Sequence, residues 1–334
     1  MALFRIFGAG EWGLAVANHL SILNNPVEIY LRDITKVELY EDNRTHRGLN
    51  IEFGKNISFF GIDKINTLKN EKEIINIIAT SSSGFLPIIE TNINYFNSYS
   101  SLSWITKGLD HSSGLLFHQQ LDKLLSNNID KCVISGPSFA KDLVDKKQIE
   151  VSIATKNYNL QKIFMDAMSS KYFKLLPTSD IIGVEISGVL KNIAAILAGS
   201  LTANQFPDEY IDELISISQE EVYAMSKLIR GKNSLYPISD DEMKKTLDSP
   251  ACIGDLRLTC FYNASRNRQL GLKLTKGCNV DKLISKIGTV EGYLSTATLL
   301  NNKKVYGEGR LVKAANDILY NNLEPKTVLN SLFN

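Results

Sequence analysis

Features that mark several large classes of protein are missing from this chain of 334 residues. Its four cysteines form no Cys-x-x-Cys pair and its four histidines lack the spacing of metal ligands, so we expect reduced thiols and no metal site. No apolar run approaches the ~20 residues of a membrane span, and the N-terminus lacks the pattern of a signal peptide. A net charge of +1, with scattered lysine and arginine, provides no basic surface for nucleic acid. We therefore expect a cytoplasmic protein with no nucleic-acid partner.

A glycine loop close to the N-terminus is the first feature that indicates a ligand. The apolar run Leu3 to Phe7 predicts a buried strand, and Gly8-Ala9-Gly10-Glu11-Trp12-Gly13 follows it and leads into a helical pattern. In a GxGxxG loop the first glycine permits a tight turn, the second lets a pyrophosphate approach the backbone, and the third lets the helix lie on the strand. The pattern predicts a dinucleotide-binding domain of the Rossmann type.

The choice between NAD and NADP stays open at this stage. A second predicted strand, Val27 to Leu31, ends in Arg32 and Asp33. An acidic residue about 20 residues after the loop binds the ribose hydroxyls of NAD, whereas an arginine there meets the 2′-phosphate of NADP. Arg32 comes first and favours NADP slightly. The polar run 80–84, after a strand at Ile74 to Ala79, is expected beside the nicotinamide.

Strand and helix patterns alternate as far as residue 180, and only helical patterns follow. We therefore predict an α/β Rossmann domain over residues 1–180 and an all-α domain over residues 181–334. The remaining predicted strands are 102–106, 132–134, 151–154 and 173–176, and the later predicted helices are 211–229, 280–287, 290–300, 311–323 and 325–333.

One buried helix carries a single cation. Residues 179–199 are apolar on most sides, with Gly199 suited to the helix end, and Lys191 lies inside. Small residues occupy the positions three and four away from it, so another group can approach the ammonium. A lysine there either acts as a proton donor and acceptor or is a partly exposed structural residue.

Other polar residues cluster at predicted strand ends and in the helical half. Lys107 follows a predicted strand, and Gly136 and Ser138 lie in a loop after the next one. The helical half contains Asp255 and the run 265–267, in which an arginine offers a planar fork for phosphate. Cys260 is either a nucleophile or, as we favour without a nearby histidine, a buried structural thiol.

Taken together, these motifs resemble a known family. GAGEWG, ITKGLD, SGPSFAK, EISGVLKN, GDLRLTC, SRNR and VEGY occur in the order and spacing of the bacterial-type NAD(P)-dependent glycerol-3-phosphate dehydrogenases. The resemblance runs from Leu3 to about Tyr293. It implies a Rossmann domain followed by a helical domain, a cytoplasmic homodimer, and reversible reduction of dihydroxyacetone phosphate that supplies glycerol 3-phosphate for phospholipids.

The resemblance also implies a role for individual residues. Lys191 is similar to the general acid/base, Lys107 to a second cation that binds substrate and cofactor, and Asp255 to the residue that orients Lys191. Further positions match substrate contacts: Gly136, Ser138, Asn192, Thr259, Ser265, Arg266 and Asn267. Cofactor contacts are implied at Gly8, Gly10, Glu11, Trp12, Gly13, Arg32, Ala140, Arg266 and Glu291.

Several departures from the family pattern leave other functions open. Glu11 replaces the usual serine and brings a carboxylate to an anion site, and Thr289 replaces a valine. Residues 201–225 contain no arginine, where the family has a Thr-Arg-Gly helix end. The alternatives are a paralogous dehydrogenase for another phosphorylated ketone, as in polysaccharide precursors, and a non-catalytic protein that senses NAD(P)H.

Overall fold

The computed structural model describes residues 2–67, 74–231 and 235–334. By backbone contacts the chain divides into two compact units. The first combines Met1–Lys107 with Phe117–Ile181, and the second combines Gly108–Leu116 with Ile182–Asn334. The short segment Gly108–Leu116 therefore belongs with the helical half, although it lies between two stretches of the first unit in sequence.

The first unit is built on one sheet of eight strands. Its order is β10-β9-β8-β7-β6-β1-β2-β5, and β3 and β4 form a separate pair. The strands are β1 (Leu3–Phe7), β2 (Val27–Leu31), β3 (Thr45–His46), β4 (Ile51–Glu52), β5 (Ile57–Gly61), β6 (Ile74–Ile78), β7 (Ser101–Trp104), β8 (Asp130–Ser135), β9 (Ile149–Thr155) and β10 (Phe173–Thr178). All neighbouring pairs in the large sheet are parallel except β8 with β9, which is antiparallel.

Helices and short 3₁₀ turns connect these strands, as the sequence pattern predicts for a Rossmann domain. They are α1 (Glu11–Ile22), α2 (Ile34–Asn43), α3 (Ser82–Thr91), α4 (Ile93–Asn97), α5 (Phe117–Leu124), α6 (Ala140–Val144) and α7 (Tyr158–Met168), with 3₁₀ turns at Arg47–Leu49 and Ile62–Thr67. The core lies between sheet and helices because the central strands are apolar on both faces. Four of the five residues of β1 and all five of β6 are buried.

In the described part of the second unit, helices make up the regular structure from residue 182 onward, and the segment Gly108–Leu116 is a turn closed by a bridge between Asp110 and Leu115. Its helices are α8 (Ile181–Ala203, whose first residue belongs to the first unit), α9 (Glu209–Arg230), α10 (Asp240–Leu247), α11 (Asp255–Phe261), α12 (Arg266–Gly271), α13 (Val280–Ile287), α14 (Glu291–Asn301), α15 (Lys303–Tyr306), α16 (Arg310–Leu319) and α17 (Pro325–Leu332). A π-helical turn, Pro250–Gly254, leads directly into α11. The predicted fold class, a Rossmann domain followed by a helical domain, is confirmed.

Helix α8 is the central element of the second unit, and it is longer than predicted. The expectation that it ends at Gly199 is wrong, since the helix continues to Ala203. A Cβ atom on Gly199 would overlap the Arg268 carbonyl oxygen, and one on Gly271 would overlap the Ile196 carbonyl oxygen. Gly199 is therefore a point of close helix contact rather than a helix stop, and it brings α12 onto α8.

The same helix also corrects the expectation about membrane spans. Among the described residues it is the one helix of sufficient length and apolarity to cross a membrane, with 23 residues and a mean hydropathy of 1.7 in its most apolar window. That whole window is buried within the protein. Its burial is what a core helix of a globular protein requires.

Candidate active site

A buried ion pair lies at the middle of α8. Lys191 Nζ donates to Asp255 Oδ1 over 2.7 Å and lies 3.4 Å from Thr259 Oγ1. The lysine side chain is 11% exposed and the aspartate side chain 2% exposed. Asp255 and Thr259 are four residues apart at the start of α11, so they share one helix face toward the ammonium. This cluster holds an ammonium in a fixed position close to the protein surface.

A chain of amide contacts continues from the next residue of α8. Asn267 Nδ2 donates to Asn192 Oδ1 over 2.9 Å, and Asn267 Oδ1 accepts from the backbone N–H of Gly292 over 2.9 Å. A Cβ atom on Gly292 would overlap the Asn192 carbonyl oxygen. The glycine therefore permits the first turn of α14, which begins at Glu291, to lie directly on α8 beside Lys191.

In the first unit a second lysine is held by a backbone loop. Lys107 Nζ donates to the Gly136 carbonyl oxygen over 2.6 Å and to Ser138 Oγ over 2.8 Å. Gly136 has φ +154°, and a Cβ there would lie 2.9 Å from the Cα of Val151, so the position favours glycine. The structure thus brings Lys107, Gly136 and Ser138 together.

The glycine loop has the geometry of a dinucleotide cradle. Gly8 has φ +118°, and a Cβ there would lie 2.6 Å from the Ala79 carbonyl oxygen. A Cβ on Gly13 would lie 2.9 Å from the Gly8 carbonyl oxygen. A Cβ on Gly10 would meet no described atom within 4 Å, which leaves this point of the backbone open to a ligand. The residues present therefore fit a pyrophosphate at the N-terminus of α1.

A cavity of about 590 Å³ in the first unit continues from this loop. Gly8, Arg32 and Asp33 line it, together with Thr80 and other residues at the start of α3. Asp33 Oδ1 accepts from the backbone N–H and the hydroxyl of Thr35, so this carboxylate caps α2. The Thr35 hydroxyl bond is the main cause that lowers the pKa of Asp33. The loop expected at residues 80–84 is helical from Ser82 onward.

The remaining predicted contacts occupy a range of environments. Glu11 is exposed in the first turn of α1, and Trp12 and Ala140 pack against the core of the first unit. Arg266 is exposed at the start of α12, and Ser265 caps that helix by accepting from the backbone N–H of Arg268. In the second unit, therefore, the structure brings together five predicted residues: Lys191, Asn192, Asp255, Thr259 and Asn267.

Cys260 has the environment of a structural thiol. The side chain is fully buried, and burial raises the pKa of the thiol to about 12. All four cysteines are free. A thiol with so high a pKa is a poor nucleophile near neutral pH, so Cys260 fits the buried structural thiol that the sequence favours.

Two residues next to these clusters were missed by sequence reasoning. Lys36 lines the 590 Å³ cavity from the first turn of α2, and the signal was available in its closeness in sequence to Arg32. His111 lies 3.3 Å from Glu291 Oε2 through its Nε2 atom, and no local pattern in the sequence indicates that contact.

The arrangement combines a group capable of proton transfer with nearby hydrogen-bond donors. A buried ammonium with a carboxylate partner can donate a proton and recover it. Asn192, Asn267 and the exposed guanidinium of Arg266 offer donors suited to hydroxyl and phosphate oxygens. In the described part of the chain no group of three or more His, Cys, Asp or Glu residues has metal-site geometry.

Comparison with known proteins agrees with this chemistry. Family models for the N-terminus and the C-terminus of NAD-dependent glycerol-3-phosphate dehydrogenase match residues 4–161 and 180–330. A glycerol-3-phosphate dehydrogenase, NAD(P)+, of Vesicomyosocius okutanii is 31% identical over 303 residues, which cover 90% of this chain and 87% of the relative. The enzyme of the same name from Francisella tularensis subsp. novicida is 30% identical over 335 residues, covering 98% and 96%.

Solved structures show the same relationship. A crystal structure of glycerol-3-phosphate dehydrogenase from Coxiella burnetii superposes with a TM-score of 0.85 at 26% identity, covering 99% of this chain and 98% of that one. The yeast glycerol-3-phosphate dehydrogenase structure has a TM-score of 0.81 at 15% identity and shares the fold. With both halves of the chain matched and relatives at about 30% identity over nearly all of it, this protein belongs to the NAD-dependent glycerol-3-phosphate dehydrogenase family.

Proposed function

We propose that this protein is an NAD(P)-dependent glycerol-3-phosphate dehydrogenase that reduces dihydroxyacetone phosphate reversibly. The observation that carries the proposal is the buried pair of Lys191 with Asp255, in a chain whose two halves match this family. A bound nicotinamide nucleotide supplies or accepts the hydride. The protein's own residues hold the substrate and move the proton.

Lys191 is the proposed general acid in the reducing direction. Its ammonium donates a proton to the carbonyl oxygen of the substrate, which becomes the hydroxyl of the product, and the neutral amine is then reprotonated from solvent. Asp255 fixes the ammonium through the 2.7 Å bond, and Thr259 lies on its other side. General acid catalysis of this kind contributes roughly 10²–10⁴-fold to rate.

The proposed substrate contacts come from two sets of residues. Ser265, Arg266 and Asn267 are proposed to bind the phosphate, with Asn192 beside them. Lys107, held by Gly136 and Ser138, is proposed as a second cation for substrate and cofactor. The planar guanidinium of Arg266 suits a phosphate because it presents two parallel N–H donors.

The cofactor is assigned to the first unit's glycine loop and cavity. Gly8, Gly10 and Gly13 would hold the pyrophosphate, and Arg32 would meet the adenosine ribose or its phosphate. Glu11, Trp12, Ala140, Arg266 and Glu291 are the further proposed contacts. The exposed position of Glu11 supports this assignment, because its carboxylate then has access to solvent rather than only to the anion.

The cellular setting follows from the family. We propose a cytoplasmic homodimer whose product enters phospholipid synthesis. The segment 201–225 supports one alternative, a dehydrogenase for a different phosphorylated ketone. Arg268 donates to Thr202 Oγ1 over 3.1 Å, so this altered segment contacts the helix that carries Asn267 and can change its environment.

The test follows NAD(P)H absorbance with dihydroxyacetone phosphate and then with a panel of phosphorylated ketones. We expect oxidation with dihydroxyacetone phosphate, strongly reduced by Lys191→Ala. Activity with a different ketone alone would support the paralogue. Tight cofactor binding without turnover of any substrate would support a sensor, and either result contradicts the proposal.

A further inference from the structure

The segment Gly108–Leu116 follows Lys107 directly and is tied into the second unit by side-chain contacts. Tyr306, itself buried, donates its hydroxyl to the Gly114 carbonyl oxygen over 2.7 Å. Gly114 has φ +72° and lies against the Asn302 side chain, so a residue with a Cβ atom would be strained there. The segment therefore has one firm attachment near its C-terminal end.

The segment is also ordered by its own hydrogen bonds. Asp110 N–H donates to the Leu115 carbonyl oxygen over 2.9 Å, and Gly114 N–H donates to the Asp110 carbonyl oxygen over 2.8 Å. The Asp110 carboxylate accepts from the backbone N–H and the hydroxyl of Ser113. A segment closed on itself in this way presents the residue after Asp110 in a defined position.

That residue is His111, and it contacts two side chains of α14. Its Nε2 atom lies 3.3 Å from Glu291 Oε2 and its Nδ1 atom lies 3.0 Å from Thr298 Oγ1. Glu291 and Thr298 are seven residues apart and share one helix face. An ionised carboxylate only accepts hydrogen bonds, so the contact with Glu291 places a ring proton on Nε2. The His111 side chain is 20% exposed and that of Glu291 21% exposed, so the pair is largely shielded from solvent.

Glu291 is adjacent to the amide cluster of the candidate active site. The next residue, Gly292, binds Asn267 through its backbone N–H and packs on Asn192. The backbone of Glu291 is thus fixed by these contacts, whereas His111 makes a direct contact with its carboxylate. Without the imidazole, that carboxylate loses this contact, which restricts its rotamer.

We propose that His111 is a positioning residue that orients the Glu291 carboxylate for cofactor binding. The inference rests on the proposed function, in which Glu291 contacts the nicotinamide nucleotide. His111 acts through Glu291 and donates no proton to substrate. Thr298 holds the far side of the ring, so the imidazole cannot turn away from Glu291 without losing that contact.

The test measures NADPH binding to the full-length protein by nucleotide fluorescence. His111→Phe keeps a ring and removes both polar contacts, and we expect the Kd for NADPH to rise roughly tenfold. His111→Gln restores an N–H donor and an oxygen acceptor, and we expect it to recover most of the affinity. In turnover assays KM for the cofactor should rise in His111→Phe while kcat changes much less.

Two further variants separate orientation of Glu291 from attachment of the segment. Tyr306→Phe removes the Gly114 contact without touching Glu291, and we expect wild-type affinity for NADPH. In a Glu291→Ala background, His111→Phe should cause no additional loss. Should His111→Phe fail to fold, Thr298→Val removes one support of the ring and should weaken binding in the same direction.

Three results would overturn the proposal: unchanged affinity in His111→Phe, equal loss in Tyr306→Phe, or a further loss in the Glu291→Ala background. The binding readout needs no turnover. Absence of dihydroxyacetone phosphate reduction with normal NADPH binding would therefore contradict the proposed function and leave this test decisive for His111.

Discussion

Among single residues, the proposed chemistry depends on one ammonium and its carboxylate partner. Lys191 and Asp255 are 64 positions apart in sequence, and a 2.7 Å bond joins them in an environment with little solvent. Low local dielectric strengthens such a pair and makes its separation costly. The pair therefore fixes the position of the proposed proton donor before any substrate is bound.

Replacing Asp255 tests the orienting role of the carboxylate. Asp255→Asn preserves the shape of the side chain but removes its charge, so we expect kcat to fall by roughly 10²-fold with little change in NADPH affinity. Thr259→Val, which removes the more distant contact, should cost less. Steady-state kinetics measures kcat for each variant, and thermal melting is the folding control. An Asp255→Asn enzyme with wild-type kcat would contradict the orienting role of Asp255.

Arg32 and Lys36 are expected to favour NADPH over NADH. Both line the 590 Å³ cavity proposed for the cofactor, whereas the Asp33 carboxylate caps α2 and is less available to a ribose hydroxyl. Arg32→Ser should weaken NADPH binding roughly tenfold, as expected for loss of a charge-assisted contact to phosphate, and leave NADH binding nearly unchanged. Equal affinity losses for both nucleotides would show that Arg32 does not discriminate between them.

Much of the candidate site could be predicted at this scale, because glycine loops and lone buried cations have local signatures. The contact of His111 with Glu291 could not, since it joins positions 180 residues apart and depends on how the segment Gly108–Leu116 is held. A sequence pattern indicates which residue types are present. It does not indicate which of them face one another across separate helices.

At the scale of elements, two close helix contacts on α8 position the site. Gly199 with Gly271 brings α12 onto α8, and Gly292 does the same for α14. These contacts explain why the sequence prediction misplaced the end of α8: glycine in a helix pattern indicates either a stop or a close approach. Strand β5 was missed as well, although Ile57, Phe59 and Gly61 alternate inward.

The contact between α8 and α12 should be intolerant of any side chain. Gly271→Ala places a methyl group on the Ile196 carbonyl oxygen, and the rigid backbone on both sides has little freedom to move. We expect a loss of unfolding free energy of about 2 kcal/mol or more. Gly48→Ala is a matched control, since its nearest neighbour is a His46 side-chain atom at 3.3 Å. Urea unfolding measures the free energy of unfolding of both variants, and equal stability of the two would contradict the close contact.

Glu221 should give the second unit a pH-dependent stability. Its carboxylate accepts from the backbone N–H of Leu311 at the start of α16, and burial raises its pKa from 4.5 to about 7. Because the folded pKa exceeds the unfolded one, the stabilising contribution is complete below about pH 4.5 and is lost as the pH rises through about 7. Arg310 and Glu220 are the nearby charges that also act on this carboxylate.

Glu221→Gln isolates that effect because it keeps an oxygen acceptor and cannot ionise. Relative to wild type, the variant should gain stability between pH 5 and pH 8.5, by up to about 3 kcal/mol. Urea unfolding across this pH range measures the difference. A difference in unfolding free energy that stays constant with pH would contradict the raised pKa.

For the molecule as a whole, the chain forms two compact units. Their classes were predictable from the sequence, because strand–helix alternation gives way to helical patterns near residue 180. The sequence did not predict that Gly108–Leu116 belongs to the second unit. That membership depends on contacts with Tyr306, Asn302 and Thr298 and not on a local pattern.

The proposed homodimer makes a direct prediction about size. The chain has a mass of 37.3 kDa, and sedimentation velocity at micromolar concentration should give a species of twice that mass. Large apolar side chains exposed in the second unit, such as Leu228 and Phe261, are candidates for burial in a dimer interface. A single species at the monomer mass across this concentration range would contradict the proposal.

The Lys191 ammonium is the proposed proton donor for reduction of dihydroxyacetone phosphate. The measurement is kcat for NADPH oxidation by that substrate in wild type, Lys191→Ala and Lys313→Ala, the last an exposed lysine of the same unit, with NADPH Kd determined for each. This role predicts that Lys191→Ala lowers kcat by at least roughly 10²-fold at unchanged NADPH affinity, while Lys313→Ala remains at the wild-type rate. A Lys191→Ala enzyme that turns over at a rate close to wild type would contradict it.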